Sequence, residues 1–162
     1  MKKGAGKMVT SLIGGIAGAM AGGAAVSSVY LKKMDVAADN HKKIVSYYQL
    51  FNQWLMVRQE GKTLAEYFER NGYKTVAIYG MKEFGERLFD ELKDSDITVS
   101  YIIDKNPDAI YADVDVITPD KELSPVDVIV VTATYYFDEI EEQLCEKVDY
   151  PIVSLEDILY EV

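Results

Sequence analysis

Two glycines in the middle of the chain, Gly80 and Gly85, follow a short apolar run and precede an amphipathic one. In dinucleotide-binding folds, a G-x-G-x-x-G turn presents backbone amides and a helix N-terminus to a pyrophosphate, and an acid roughly 20 residues further on binds the ribose hydroxyls. Gly80 and Gly85 match the first and third glycines, and Asp104 stands where the ribose acid belongs. The spacing therefore predicts a nucleotide-binding turn.

The middle glycine of this motif is replaced by Lys82. That glycine lets a phosphate contact the backbone, and a lysine side chain obstructs this approach, although its ammonium offers the phosphate a different contact. Glu83 competes with a bound anion for the helix dipole. The turn thus indicates the fold more strongly than the ligand; its residues are Gly80, Met81, Lys82 and Gly85. The ligand is NAD(P), another nucleotide or a nucleotide-sugar, or the fold no longer binds one.

Catalytic residues are not evident. Short-chain dehydrogenases and epimerases use a Tyr-x-x-x-Lys pair on one helix face, and Tyr101 and Lys105 have this spacing. They fall in a predicted strand and its exit loop, however, where residues four apart lie far from each other. Tyr135 and Tyr136 either stack on a base or lie at the surface. We therefore expect no catalytic set.

Composition argues against metal and nucleic-acid partners. The single cysteine, Cys145, and the single histidine, His41, have no second ligand at metal-binding spacing. The net charge is −10, and residues 34–162 carry all 27 acids with only 12 of the 17 basic residues. Such an acidic domain repels phosphate backbones, so no nucleic-acid partner is expected.

A parallel sheet is required to position the turn and Asp104. The alternation of apolar runs predicts strands at 75–79, 97–103, 114–117, 126–132 and 151–154, with helices at 86–93, 137–148 and 155–160. Right-handed crossovers give the strand order 3-2-1-4-5. Residues 72–162 are therefore predicted to form an α/β domain with a five-stranded, doubly wound, Rossmann-like parallel sheet.

Residues 34–71 are predicted to form a helical linker. A helix over 35–59 ends before Gly61, Thr63 and Glu66 have capping-box spacing, and a short helix over 64–70 ends at Gly72. An aromatic stripe is predicted to pack on the α/β domain or on a second copy. Its members are Tyr47, Tyr48, Phe51 and Trp54.

Residues 1–33 are basic and apolar. The 24 residues from 8 to 31 carry no charge, and a membrane helix needs roughly 20. Gly14, Gly18 and Gly22 share one helix face, which favours helix association in lipid and predicts a homo-oligomer. We expect a membrane helix with lipid contacts and a cytoplasmic C-terminal domain, where nucleotides are found. A cleaved signal peptide, a low-complexity tail and an interfacial hairpin remain alternatives.

Several segments resemble small bacterial Rossmann-like domains of the NAD(P)-binding or nucleoside-diphosphate-sugar epimerase-like kind, associated with surface-glycan synthesis. They are YKTVAIYGM (73–81), IDKN (103–106), VVTA (130–133) and PIVSLEDIL (151–159), and the resemblance also extends upstream to 51–54 and 61–68. The resemblance implies a ligand at the carboxyl ends of the strands. By position it implicates Gly80, Gly85, Asp104, Thr132 and Thr134.

Three functions are compatible with these observations. We favour a membrane-tethered, accessory and non-catalytic module that binds a nucleotide or nucleotide-sugar. An NAD(P)-dependent epimerase or oxidoreductase active as an oligomer is the first alternative. The second is a structural assembly protein that oligomerises through its glycine-zipper helix.

Overall fold

The computed structural model describes the backbone from Ala5 and the side chains from Leu31, both to Val162. The chain divides into two units, Met1–Val45 and Ser46–Val162. The longest helix, α1, is assigned to Ala5–Gln59. Residues 31–34, just before the predicted helix start at Asp35, are already helical. Leucine, lysine and methionine favour helix, and no breaker separates them from Asp35.

The predicted membrane segment, residues 8–31, lies outside the residues whose side chains are described, except for Leu31. Gly14, Gly18 and Gly22 lie outside the residues whose side chains are described. Within the described residues, no helix combines the length and the hydropathy needed to span a bilayer. Membrane attachment and oligomerisation through these glycines stay predictions.

A five-stranded, all-parallel sheet forms the centre of the Ser46–Val162 unit, in the order β3-β2-β1-β4-β5. The predicted α/β class and strand order 3-2-1-4-5 are confirmed. The strands are β1 (Thr75–Tyr79), β2 (Thr98–Ile103), β3 (Val116–Ile117), β4 (Val128–Val131) and β5 (Ile152–Ser154). β1 has the predicted bounds, whereas the other four strands are shorter than predicted.

Four further helices accompany the sheet in this unit. They are α2 (Ala65–Asn71), α3 (Glu83–Leu92), α4 (Phe137–Cys145) and α5 (Leu155–Glu161). Single 3₁₀ turns occur at Pro107–Ala109 and Thr134–Tyr136. The structure begins α3 earlier than the predicted residue 86, because the chain reverses direction within the three residues that follow β1.

Two apolar clusters cover the two faces of the sheet. Val76 and Ile78 of β1 belong to the cluster that includes residues of α2, α3, α5 and the end of α1. Ala77 and Tyr79 belong to the other cluster, which includes Ile140 of α4. Alternate residues of a strand point to opposite faces, so β1 contributes to both clusters and is buried on both sides. Because both faces of the sheet are covered, a ligand can reach it only at the amino and carboxyl ends of the strands, which we call its amino and carboxyl edges.

Residues 46–71 of the predicted linker belong to the same unit as the sheet, whereas residues 34–45 belong to the other unit. Gly61 and Gly72 have φ angles of +78° and +74°, and they end α1 and α2 as predicted. Half of the predicted capping box forms. The Glu66 carboxylate accepts the Thr63 N–H at 3.0 Å, whereas the helix begins at Ala65, with no side-chain cap from the preceding residue.

Candidate functional site

The turn between β1 and α3 requires glycine at both predicted positions. Gly80 has a φ of +92°, in the left-handed region that glycine enters without steric cost. A Cβ added to Gly85 would lie 2.1 Å from the Gly80 carbonyl oxygen. Gly85 therefore allows the first turn of α3 to pack directly against the loop, which is the role of the third glycine in the dinucleotide-binding motif.

Asp104 lies beside this turn, at the carboxyl end of β2. One carboxylate oxygen accepts the Met81 N–H at 2.9 Å, and the other accepts the Asn106 N–H at 2.9 Å. The structure therefore brings the predicted acid to the predicted turn, across neighbouring parallel strands. It also shows that the Met81 amide is already occupied by a carboxylate.

Thr132 connects the turn to the end of β4. Its hydroxyl lies 2.6 Å from the Gly80 carbonyl oxygen and 3.1 Å from that of Tyr79, and the side chain is buried. A Cβ on Gly80 would lie 3.0 Å from this hydroxyl. Thr132 thus holds the turn in place. Thr134 begins the next 3₁₀ turn and is half-buried, with no hydrogen bond to the turn among the described contacts.

Lys82 is the cation nearest in sequence to the turn. It precedes α3 in an extended conformation (φ −92°, ψ −158°), is exposed and makes no side-chain capping bond. Glu83 and Glu86 occupy the first turn of α3. The amides at the start of a helix lack partners within it, so these carboxylates and a bound anion would compete for the same positive end of the dipole.

Tyr79 contributes a buried phenol on the α4 side of the sheet. Burial raises its pKa, and the negative charge of Asp104 raises it further, so the phenol stays protonated at neutral pH. Tyr79 also lines a cavity of about 370 Å³ together with Asp120 and Lys147. A second cavity, of about 520 Å³, lies beside Met81 and is lined by Phe89 and Tyr111.

The remaining sequence candidates have other roles or positions. The Tyr101 phenol donates to the Ser124 carbonyl oxygen at 2.7 Å, and burial raises its pKa, so this tyrosine anchors the loop before β4. Lys105 is exposed in the β2 exit. Tyr135 and Tyr136 contact each other edge to face. No cluster of three potential metal ligands occurs within the described residues.

A partly buried polar contact that the sequence did not reveal lies on α3. Glu91 accepts hydrogen bonds from Trp54 Nε1 at 2.9 Å and from the Leu64 N–H at 2.7 Å, and it pairs with Arg58 at 3.4 Å. In the sequence, this contact is indicated only by the position of Glu91, an acid on the same helix face as Leu88 and Leu92. An acid on a buried face indicates a specific partner.

Comparison with known proteins returns no match to a protein-family model, a curated protein or a solved structure.

Proposed function

We propose that the Ser46–Val162 unit binds a nucleotide or nucleotide-sugar at the carboxyl edge of its sheet. The observation that carries this proposal is the Gly80–Gly85 turn, with its left-handed Gly80 and its backbone contact at Gly85, placed beside Asp104. Ligands of open parallel sheets bind at this edge. The resemblance to epimerase-like domains of surface-glycan synthesis supports the nucleotide-sugar class.

Lys82 takes the place of the missing glycine in this proposal. Its exposed ammonium contacts the phosphate, because the Met81 amide is committed to Asp104. Each Asp104 oxygen accepts one protein N–H and retains a lone pair for a ribose hydroxyl. The module holds its ligand without transforming it, and NAD(P) is a second candidate ligand.

The tether to a membrane is a separate part of the proposal. It is supported by the sequence of residues 1–33, with five lysines, no acid and the Gly14, Gly18 and Gly22 face. We propose that this segment inserts in the membrane, associates with other copies and leaves the second unit in the cytoplasm. Flotation of the full chain with lipid vesicles tests the tether, and recovery of all the protein in the vesicle-free fraction would refute it.

A thermal-shift titration against nucleotides, NAD, NADP and nucleotide-sugars tests the binding site. A ligand at 100 times its Kd stabilises the folded state by about 2.7 kcal/mol. Lys82→Ala should weaken binding at least about tenfold, since it removes a charge-assisted contact. Lys74→Ala is the matched control, because Lys74 is equally exposed but precedes β1 at the opposite edge.

Two results would contradict the binding proposal. The first is a melting temperature that no compound in the panel changes at millimolar concentration. The second is an equal loss of affinity in Lys74→Ala and Lys82→Ala, which would indicate general charge attraction instead of a contact at the turn.

A further inference from the structure

A second concave surface lies between the C-terminal part of α1, α2 and α3, and we call it the α1–α3 groove. Its volume is about 880 Å³, and it is open to solvent. Phe51 and Leu55 form one wall, Asp94 and Asp96 form the other, and Trp54 forms the floor. None of the residues that line it belongs to the Gly80–Gly85 turn, so the groove and the proposed nucleotide site share no lining residue.

The floor of the groove is held by specific contacts. Trp54 is buried, and its indole N–H donates to Glu91, which also accepts the Leu64 N–H. The Phe51 ring stacks on Phe84 with a centroid distance of 4.2 Å. These contacts hold Trp54 and Phe51 in place without a partner, and such preorganisation lowers the entropic cost of binding.

The α1 wall exposes apolar side chains that the domain leaves uncovered. Phe51 is 42% exposed and Leu55, one helical turn further on, is 55% exposed. Tyr48 extends the same helix face with 71% exposure. Contiguous exposed apolar residues on an otherwise acidic domain mark an interaction surface.

The opposite wall is negatively charged. Arg58 pairs with Glu91, and Arg87 pairs with Asp90 and Glu86. Three other lining carboxylates have no ion pair with any described residue. They are Glu69, Asp94 and Asp96. A complementary partner therefore carries positive charge beside apolar side chains.

We propose that the α1–α3 groove binds a basic amphipathic helix of a partner protein. Its apolar face lies against Phe51 and Leu55, and its lysine or arginine side chains pair with Asp94, Asp96 and Glu69. This is the helix-in-groove mode of peptide recognition. A symmetric contact with a second copy is disfavoured, because it would place the acidic wall of one copy near that of the other.

Trp54 provides an intrinsic signal for the test, since it is the single tryptophan of the chain and forms the groove floor. The probe is a synthetic helical peptide of 14 leucines and lysines, titrated into the full chain while tryptophan emission is followed. We expect a saturable change in emission. The same peptide with glutamate in place of every lysine should give none, and equal binding of both peptides would overturn the proposal.

Matched variants separate the groove from general attraction to an acidic surface. Leu55→Glu should weaken the peptide at least tenfold, whereas Met56→Glu, the next exposed apolar residue of α1 but outside the groove, should change the Kd less than twofold. Asp94→Lys combined with Asp96→Lys should also weaken binding at least tenfold. Its control reverses the exposed acids Glu139 and Glu142 on α4, with the same change in net charge.

Two outcomes would overturn the proposal at this stage. Equal weakening by the Asp94 and Asp96 reversal and by its control on α4 would show that net charge alone attracts the peptide, and equal weakening by Leu55→Glu and Met56→Glu would show that the peptide does not bind in the groove. A dimer in light scattering that Leu55→Glu dissociates and Met56→Glu preserves would show that a second copy occupies the groove. All substituted residues are exposed, so the variants should keep the fold, which circular dichroism checks.

Discussion

The turn after β1 and the α1–α3 groove use their polar groups in opposite ways. In the turn, Asp104 accepts the Met81 amide and Thr132 binds the Gly80 carbonyl, so loop groups pair with one another. In the groove, Phe51 and Leu55 remain exposed, and Asp94 and Asp96 lack ion pairs with described residues. The turn is stabilised by hydrogen bonds among its own residues, whereas the groove leaves apolar and acidic side chains exposed for a partner to contact.

This difference separates two kinds of evidence for a binding site. The motif at Gly80 and Gly85 identifies a place where ligands bind in related architectures, but the turn is complete without one. The groove matches no motif, yet its exposed apolar wall and its acids, which have no ion pair within the described part of the chain, indicate the chemistry of an occupant. Variants that damage one region and spare the other can therefore test each proposal independently.

Gly85→Ala is expected to have the largest effect. Its Cβ would lie 2.1 Å from the Gly80 carbonyl oxygen, a backbone atom that cannot move without displacing the turn. We expect a loss of about 3 kcal/mol in the free energy of unfolding, at the upper end of overpacking costs. Urea denaturation measures this loss.

The control is Gly61→Ala. Gly61 has a φ of +78°, but no atom lies within 4 Å of an added Cβ, so this substitution should cost about 1 kcal/mol. Equal losses in the two variants would show that the turn tolerates the added methyl group.

Glu91→Ala is expected to damage the groove floor and leave the turn intact. It removes the acceptor of Trp54 Nε1 and of the Leu64 N–H. Hydrogen bonds to a charged group contribute about 1.5–3 kcal/mol, so we expect a loss of about 2 kcal/mol in urea unfolding. Trp54 emission should also shift to longer wavelength.

The control is Asp90→Ala. Asp90 is one residue earlier and exposed, so its loss should change the free energy of unfolding by less than about 1 kcal/mol. An unaltered emission spectrum in Glu91→Ala would contradict a floor held by Glu91.

The pattern of apolar residues predicts the sheet well, because a strand that is buried on both faces must be apolar along most of its length. β1 is an uninterrupted apolar run, and its bounds and its place at the centre of the sheet follow from the sequence. The predicted acid also reaches the predicted turn, since neighbouring parallel strands end at the same edge. The same rule places Thr132 there, at the end of β4.

Contacts between distant residues are harder to predict. Spacing alone does not reveal that Asp104 accepts the Met81 amide, because the hydrogen bond depends on the shape of two loops. Within the aromatic stripe of α1, Trp54 is buried and Tyr48 is exposed. A stripe that wide extends over more than one helix face, and only the packing partner decides which face is covered.

Asp127 offers the smallest and most specific comparison, at the edge opposite the turn. One of its carboxylate oxygens accepts the Lys74 and Thr75 N–H groups, each at 2.8 Å, and the Thr75 hydroxyl at 2.9 Å. The backbone hydrogen bonds from Lys74 and Thr75 lower its pKa below the ordinary value of 3.8. Because the folded pKa is the lower one, this stabilisation is present in full above the unfolded pKa and is lost as the pH falls through the folded pKa. Asp127→Asn should therefore lower stability at pH 7 and make it less dependent on pH below about 4. Urea unfolding at pH 7 and pH 3 measures both effects.

Nucleotide affinity should be unchanged in Asp127→Asn, because Asp127 stabilises the amino edge of the sheet, whereas the proposed site lies at the carboxyl edge. Asp149→Asn, which removes an exposed carboxylate just before β5, is the control for charge: an equal loss of stability at pH 7 would show that the backbone amides at Lys74 and Thr75 do not depend on Asp127.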